Sequence, residues 1–312
     1  MENISGVINI RKEKGFTSHD VVYIVRKTLG GVKTGHSGTL DPQAQGVLPI
    51  LVGKATKISD FLGESKRYTA ELILGKTTDT EDHTGKVLSV SNFQWDEEAI
   101  YKAAKSFEGD ILQTPPMYSA VKAGGKKLYE LARAGKTIER KARPASIFGI
   151  DILSLLPERS AAILDVSCSR GTYIRTLCAD IGKKLGCGAC MGELTRTKSG
   201  SFELKDSVGL DEFKRLFKEG RLGEILIPIQ DALDLPKANL SIEAEKLARN
   251  GNCVSAGSAS LLEGQIPDRI LLMLGDEPAG IYDLKAGKEG EALFKPAAFF
   301  LSPSQGASHL GE

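Results

Sequence analysis

The run from 146 to 186, SIFGIDILSLLPERSAAILDVSCSRGTYIRTLCADIGKKLG, decides the fold class. Two apolar, β-branched segments, 146–156 and 161–169, flank the turn residues PERS, a pattern that predicts a hairpin. Immediately afterwards GTYIRTLCADIGKKLG (171–186) changes to helical spacing and stops at Gly186. The segments on either side keep this irregular mixture. GVINIRK (6–12), VLPILVG (47–53) and RYTAELILG (67–75) read as strands. A helix capped by Ser18 and ending at Gly30-Gly31 carries Val21, Val22, Ile24, Val25 and Leu29. ATKISDFL (55–62), DEEAIYKAAKSF (96–107) and KLYELARAG (127–135) read as further helices. Strands and helices follow one another without a repeating βαβ rhythm, so the expected class is α+β.

Composition fits that class. The 312 residues are 41% hydrophobic and 26% charged, as in a soluble globular protein with room for two domains. MENISGVINIRKEKG has no apolar signal core, and VLPILV (47–52) and ILLML (270–274) are too short to span a bilayer. The expected location is the cytoplasm, with no membrane association. Five cysteines form no disulfide framework, and Cys187-x-x-Cys190 lacks the second pair of ligands a zinc site needs. The net charge of +1 hides an imbalance. Residues 1–230 hold 34 Lys and Arg against 28 Asp and Glu, whereas residues 231–312 hold 7 against 12. The first part suits a polyanion and the second gives no electrostatic reason to bind one. The polar, proline-marked stretch PIQDALDLPKANLS (228–241) divides them. Beyond it come one helix (243–250) and the short strands RILLML, AGIYDL and ALFKPAAFF, the makings of a small β-rich module.

Three features bear on chemistry. In GHSGTLDP (35–42), Pro42 pushes Asp41 to an extended backbone and the glycines allow sharp bends nearby. Taken alone, such an aspartate is usually a turn residue. The segment 117–143, MYSAVKAGGKKLYELARAGKTIERKAR, holds eight Lys and Arg against two Glu from Lys122 to Arg143, interleaved with glycines and Tyr118 and Tyr129. It reads equally as a solvated surface and as a loop gripping a phosphate backbone. Gly171-Thr172-Tyr173-Ile174-Arg175-Thr176 opens a helix, where Arg175 could pair with a carboxylate or simply face solvent.

Taken together, GHSGTLDP, GVLPILVGKATK, KRYTAELILGKTTDTEDHTG, QTPPMYSAVKAGGKKLYELARAG and SRGTYIRTLCADIGKKLGCGA resemble, in order and spacing, the tRNA pseudouridine synthase B family from about residue 6 to 232. The closing segment resembles the small RNA-binding β-barrel of PUA type appended in that family. The resemblance implies a mixed, mainly antiparallel sheet with flanking helices (1–232) and a small C-terminal β-barrel (233–312). It implies conversion of uridine-55 in the T-arm loop of tRNA to pseudouridine by a monomer with no cofactor, no metal and no obligate protein partner. Asp41 then takes the place of the essential carboxylate, Arg175 that of its partner and Tyr68 that of the tyrosine lying against the target base. Tyr173 and Leu194 match positions bordering the flipped base, His36 the histidine beside the extruded nucleotide, and Asp82 a supporting position. The 117–143 insertion, with Lys126 and Lys127, corresponds to the loop that clasps the T-arm. Three roles remain open for Asp41: attack on ribose, attack on uracil, or removal of a ribose proton. One departure stands out. The family opens on Lys-Pro-x-Gly, and this chain has Lys12-Glu13-Lys14-Gly15. Two other classes use parts of the same set: a non-catalytic RNA-binding protein, which has no need of Asp41, and a glycoside hydrolase, which needs a second carboxylate.

Overall fold

The computed structural model describes residues 4–119, 121–123, 125–136, 138–261, 266–287 and 291–301, with backbone alone for 122, 123, 127, 133, 242, 243 and 261. The chain runs β1 (Gly6–Lys12), α1 (Ser18–Thr28), β2 (Thr34–His36), β3 (Gln45–Val52) and β4 (Ser65–Leu74). A ribbon of β5 (Lys76–Thr78) and β6 (Val87–Val90) follows, then α2 (Glu97–Lys105) and β7 (Gly109–Gln113). A second ribbon, β8 (Lys122–Ala123) with β9 (Lys126–Lys127), leads into α3 (Leu128–Arg133). After it come β10 (Arg143–Leu156), β11 (Ala161–Ser169), α4 (Ile174–Lys184), β12 (Ala189–Ser199), β13 (Phe202–Glu203), α5 (Leu210–Lys218), β14 (Leu226–Ile227) and α6 (Ile229–Ala232).

The main sheet has the order β14-β1-β3-β12-β4-β11-β10-β7, with β13 beside β12 and β2 beside β3. Its described pairings are antiparallel except β3 with β12, which meet in parallel at Gln45–Thr195 and Gly46–Arg196. The β10–β11 hairpin forms as its sequence predicts, with Ser160 in the left-handed region at the turn. Helices α2 and α4 cover one part of the sheet, where Ile100, Leu177 and Ile181 pack on Leu72, Ile150 and Leu164. Helices α1 and α5 cover β1 and β3, where Val21, Val25 and Phe213 meet Ile8, Ile10 and Ile50. Helices thus bury the sheet in two separate patches, an α+β architecture.

Three local expectations change. Thr17, not Ser18, caps α1: its hydroxyl accepts from the Asp20 N–H and the Asp20 carboxylate accepts from the Thr17 N–H, a reciprocal capping box. Ser18 is buried instead and bonds to Leu40. The segment predicted as a helix over 55–62 is a 3-10 turn, Gly53–Ile58, because it has to carry the chain sharply round the end of β3. The helix predicted over 127–135 shortens to α3, since Lys127 is taken by β9. The missing proline at position 13 leaves the opening turn formed. Gly15, at φ +86°, supplies the bend and donates to the Pro42 carbonyl, and the Lys12 ammonium donates to the carbonyls of Glu13, Phe16 and Pro42.

The closing residues form β15 (Lys237–Leu240), α7 (Ile242–Arg249), β16 (Val254–Ser255), β17 (Ala259–Leu261), β18 (Arg269–Leu274), β19 (Glu277–Ala286) and β20 (Ala292–Phe299). These make a barrel-like sheet in the order β16-β20-β19-β18-β15-β17. It shares a core with the main sheet: Leu271, Met273, Ile281 and Phe300 pack with Val7, Val47, Leu51 and Ile58. Arg269 lies over the Phe61 ring at 4.8 Å. Among the described residues no helix is long and apolar enough to cross a membrane.

Candidate active site

The loop between β2 and β3 is wired at every carbonyl from Gly38 to Pro42. Gly38 and Thr39 accept from the Arg196 guanidinium at 3.1 and 3.5 Å. Leu40 accepts from the Ser18 hydroxyl, which in turn accepts from the Leu40 N–H. Asp41 accepts from the Ala44 N–H, and Pro42 from Gly15 and Lys12. Gly46, at φ +109°, lets β3 run against β12: a Cβ there would meet the Arg196 carbonyl at 2.2 Å. These bonds anchor the loop, and the Asp41 side chain is aimed by it.

That side chain meets Arg175 as a fork. Arg175 Nε lies 3.1 Å from one carboxylate oxygen of Asp41, and Nη2 donates to the other at 3.4 Å. Arg175 is buried in the first turn of α4 and is held further by the carbonyls of Thr80 and Tyr118. Asp41 is half-exposed towards a cleft bordered by Ala44, Asp82, Met191 and Leu194. Burial among protein atoms raises the Asp41 pKa, opposed by the Arg175 charge and reinforced by Asp82.

Asp82 sits behind this pair. Its Oδ1 accepts from the Thr80 hydroxyl and from the hydroxyl and N–H of Thr84, leaving Oδ2 3.7 Å from Arg175 Nη1. The preceding residue, Glu81, has φ +63°, a strained conformation for a side-chain-bearing residue. The turn is tied to β12 by two bonds, from the Met191 N–H to the Glu81 carbonyl and from the His83 N–H to the Met191 carbonyl.

Leu194 borders this cleft, and Tyr68 belongs to the same apolar cluster. Both are buried, on neighbouring strands, in one cluster with Leu40 and Ala44. Burial raises the Tyr68 pKa, and a hydrogen bond and charge from Arg196 oppose the rise. Tyr173 stands at the N-cap of α4, half-buried, with its N–H and carbonyl both bonded to the Gln113 amide. His36 lies on β2 with its Nδ1 accepting from the Gly38 N–H, so its ring proton is on Nε2. Burial lowers its pKa and keeps it neutral near pH 7, which does not suit a general base that needs driving force. The exposed His19 packs edge-on against it, ring centres 6.5 Å apart.

The basic segment passes close by through the Tyr118 carbonyl on Arg175, and Arg140 donates to the Pro115 carbonyl. Lys126 is exposed on β9; the side chain of Lys127 lies outside the described residues. Asp41, Arg175, Asp82 and Leu194 therefore converge, with Tyr68 in the apolar cluster of Leu194 and Tyr173 two residues before Arg175 at the start of α4, while His36 and Lys126 stand on β2 and β9. Sequence reading misses Gln113, Ser18 and Arg196, three buried polar groups whose partners lie far along the chain. A larger cavity beyond Glu81, lined by Thr78, Lys183 and Gly188, lacks this convergence of charged groups.

A sequence profile described as the TruB family pseudouridylate synthase N-terminal domain matches residues 26–174, and one described as the tRNA pseudouridylate synthase B C-terminal domain matches 175–234. The tRNA pseudouridine synthase B of Bacillus licheniformis is 43% identical over 96% of this chain and 99% of its own length. That of Alkaliphilus oremlandii is 48% identical over 80% of this chain and 82% of its own. Among solved structures, an H/ACA ribonucleoprotein bound to a substrate RNA containing 2′-deoxyuridine contains a chain with TM-score 0.74 and 25% identity, over 96% of this chain and 86% of that one. A Cbf5–Nop10–Gar1 complex gives TM-score 0.74 and 27% identity over 96% and 85%.

Proposed function

The chain belongs to the TruB family of pseudouridylate synthases, and from that premise we propose that it isomerises uridine-55 in the T-arm loop of tRNA to pseudouridine. The C1′–N1 bond breaks, the base turns over and C1′–C5 forms; C5 loses a proton and N1 gains one, so no atom is gained or lost overall. The observation that carries the proposal is the Asp41–Arg175 fork, opening on a cleft bordered by Asp82, Met191 and Leu194, with Tyr68 in the same buried cluster as Leu194. The fork holds an ionised carboxylate in a partly desolvated place, the form required whether Asp41 attacks ribose, attacks uracil or takes a ribose proton.

A uridine stacked inside a folded loop does not reach this cleft unaided. Extrusion costs about a few kcal/mol of stacking, and the neutral His36 ring on β2 fills the gap left behind. Tyr173 borders the flipped base, Tyr68 lies against it, and Asp82 supports Arg175. The 117–143 segment clasps the T-arm through its phosphates. Residues 1–232 form the catalytic domain, and 233–312, acidic but joined to it through a shared core, brace it and border the RNA. The enzyme acts as a cytoplasmic monomer without cofactor or protein partner.

The decisive experiment incubates the protein with an unmodified tRNA transcript and maps pseudouridine chemically. Product at position 55 is expected, with Asp41→Asn binding T-arm RNA normally yet forming none. No product from the parent protein favours an RNA-binding protein instead. Release of free uracil favours a hydrolase, but Asp82 is poorly suited as its second carboxylate, being engaged by Thr80, Thr84 and Arg175.

A further inference from the structure

Arg196 is the largest fully buried side chain described, at 1% accessible. A guanidinium is costly to bury, and an apolar side chain of similar volume fills such a space at lower cost. The residue is therefore explained by what its donors hold. Nε donates to the Val47 carbonyl at 2.7 Å, Nη2 to Gly38 at 3.1 Å and Nη1 to Thr39 at 3.5 Å, and the residue stands opposite Tyr68 where β12 pairs with β4. Its described hydrogen-bond partners are carbonyl oxygens, whereas Arg175 also meets the carboxylates of Asp41 and Asp82. The three carbonyls bracket Asp41 on both sides along the chain.

We infer that Arg196 is a positioning residue for the reaction: its fan of donors ties the Asp41 loop to β12, the strand paired with the Tyr68 strand β4, and so sets where the Asp41 carboxylate stands relative to the target nucleoside. The inference rests on the reading of Asp41 and Tyr68 as site residues. Among the described residues no other side chain of β12 or β4 donates to the backbone of this loop. Ser18 and Lys12 fix the loop to α1 and to the opening turn, and leave its distance from β4 unset. Burial disfavours protonation of His36, Lys12 and Lys66, and the Arg196 charge adds to that effect.

Arg196→Lys keeps the charge but loses the planar fork. With T-arm stem-loop RNA as substrate, kcat is expected to fall at least about thirtyfold while KM and RNA affinity stay within about threefold, the signature of lost geometry rather than lost binding. An unaltered kcat, or a loss confined to KM, overturns the inference. Arg196→Gln, which retains amide donors, is measured by the same criteria if the lysine variant does not fold; if neither folds, the residue is a folding determinant and the inference fails. Asp41→Asn alongside separates the two levels. An active Asp41→Asn sinks the reading of the cleft, whereas an inactive Asp41→Asn beside a fully active Arg196→Lys sinks this inference alone.

Discussion

Beneath the cleft, Arg175, Arg196, Lys12 and Lys66 are buried and each is committed to internal oxygen atoms: carboxylates for Arg175, carbonyls for Arg196 and Lys12, the Ser199 hydroxyl for Lys66. On the 117–143 segment, Lys126, Lys136, Lys141 and Arg143 are exposed. Both regions are cationic, yet the physics differs. A buried cation interacts strongly with its neighbours and fixes their geometry; an exposed one contributes weakly to folding and remains available to a polyanion. On the proposed function, the interior set governs the rate of the chemistry and the exterior set governs affinity and its dependence on salt.

The sharpest test of the interior is Asp41→Asn, which removes the group the fork is built around. A loss of at least about a thousandfold in kcat is expected with RNA affinity retained. Stability is expected to move the other way. The Asp41 pKa is raised on folding, so the stabilisation belongs to the protonated form, is present below the ordinary aspartate value and is lost as pH rises through the raised one. The ionised side chain is a net burden once the pH exceeds the raised value, and Asp41→Asn is expected to melt at or above the parent temperature by calorimetry. A variant both inactive and clearly less stable contradicts this assignment of the strain. Arg175→Met comes next. It leaves Asp41 and Asp82 facing one another without the shared cation, which is expected to lower stability by about 3–5 kcal/mol in urea titration. The kcat loss is expected to be about a hundredfold, and parent-like values on both counts break the comparison at its interior half.

How much of this is legible in the sequence follows the distances involved. Asp41, Arg175 and Tyr68 are legible only through the family resemblance of the motifs they stand in. Read alone, Asp41 passes for a turn residue and Arg175 for a surface one, whereas the hairpin and the helix after it are readable from period alone. The supports are not. Arg196 lies in GELTRTKSG, where polar residues alternate on both faces of a strand, and its partners are about 150 residues earlier. Gln113 grips Tyr173 across 60 residues, and Ser18 grips Leu40 across 22. Ser18 reads as a cap because a serine before an apolar run usually is one; the Thr17-x-x-Asp20 pattern is the better signal. The 3-10 turn at Gly53–Ile58 reads as a helix because its apolar spacing over one turn suits either.

Within the interior, pH discriminates the carboxylates more finely. Asp41 has to be ionised, so the acid limb of kcat is expected above the ordinary aspartate value of 3.8. Asp82 contributes to that rise as a like charge across Arg175. Asp82→Asn is therefore expected to move the limb to lower pH, by less than about one unit, even as kcat at its plateau falls. A limb that stays in place, or moves up, shows that Asp82 does not sense Asp41 through the shared guanidinium.

The smallest effect belongs to the exterior. Lys126 is exposed on β9, and Lys127 follows it in the sequence, two positive charges suited to a phosphate backbone. Replacing both with alanine removes charge without touching the Asp41 fork. The expected result is RNA binding weakened about fivefold to fiftyfold near physiological salt, with kcat at saturation unchanged. The slope of log Kd against log salt is expected to fall by about 0.7–0.9 for each phosphate that is no longer neutralised. A drop of about one unit assigns one lysine to the RNA, and a drop near two assigns both. A fall in kcat with an unchanged salt slope reverses the division between the two regions, because it makes these lysines part of the machinery that sets the cleft and leaves the grip on RNA to other cations.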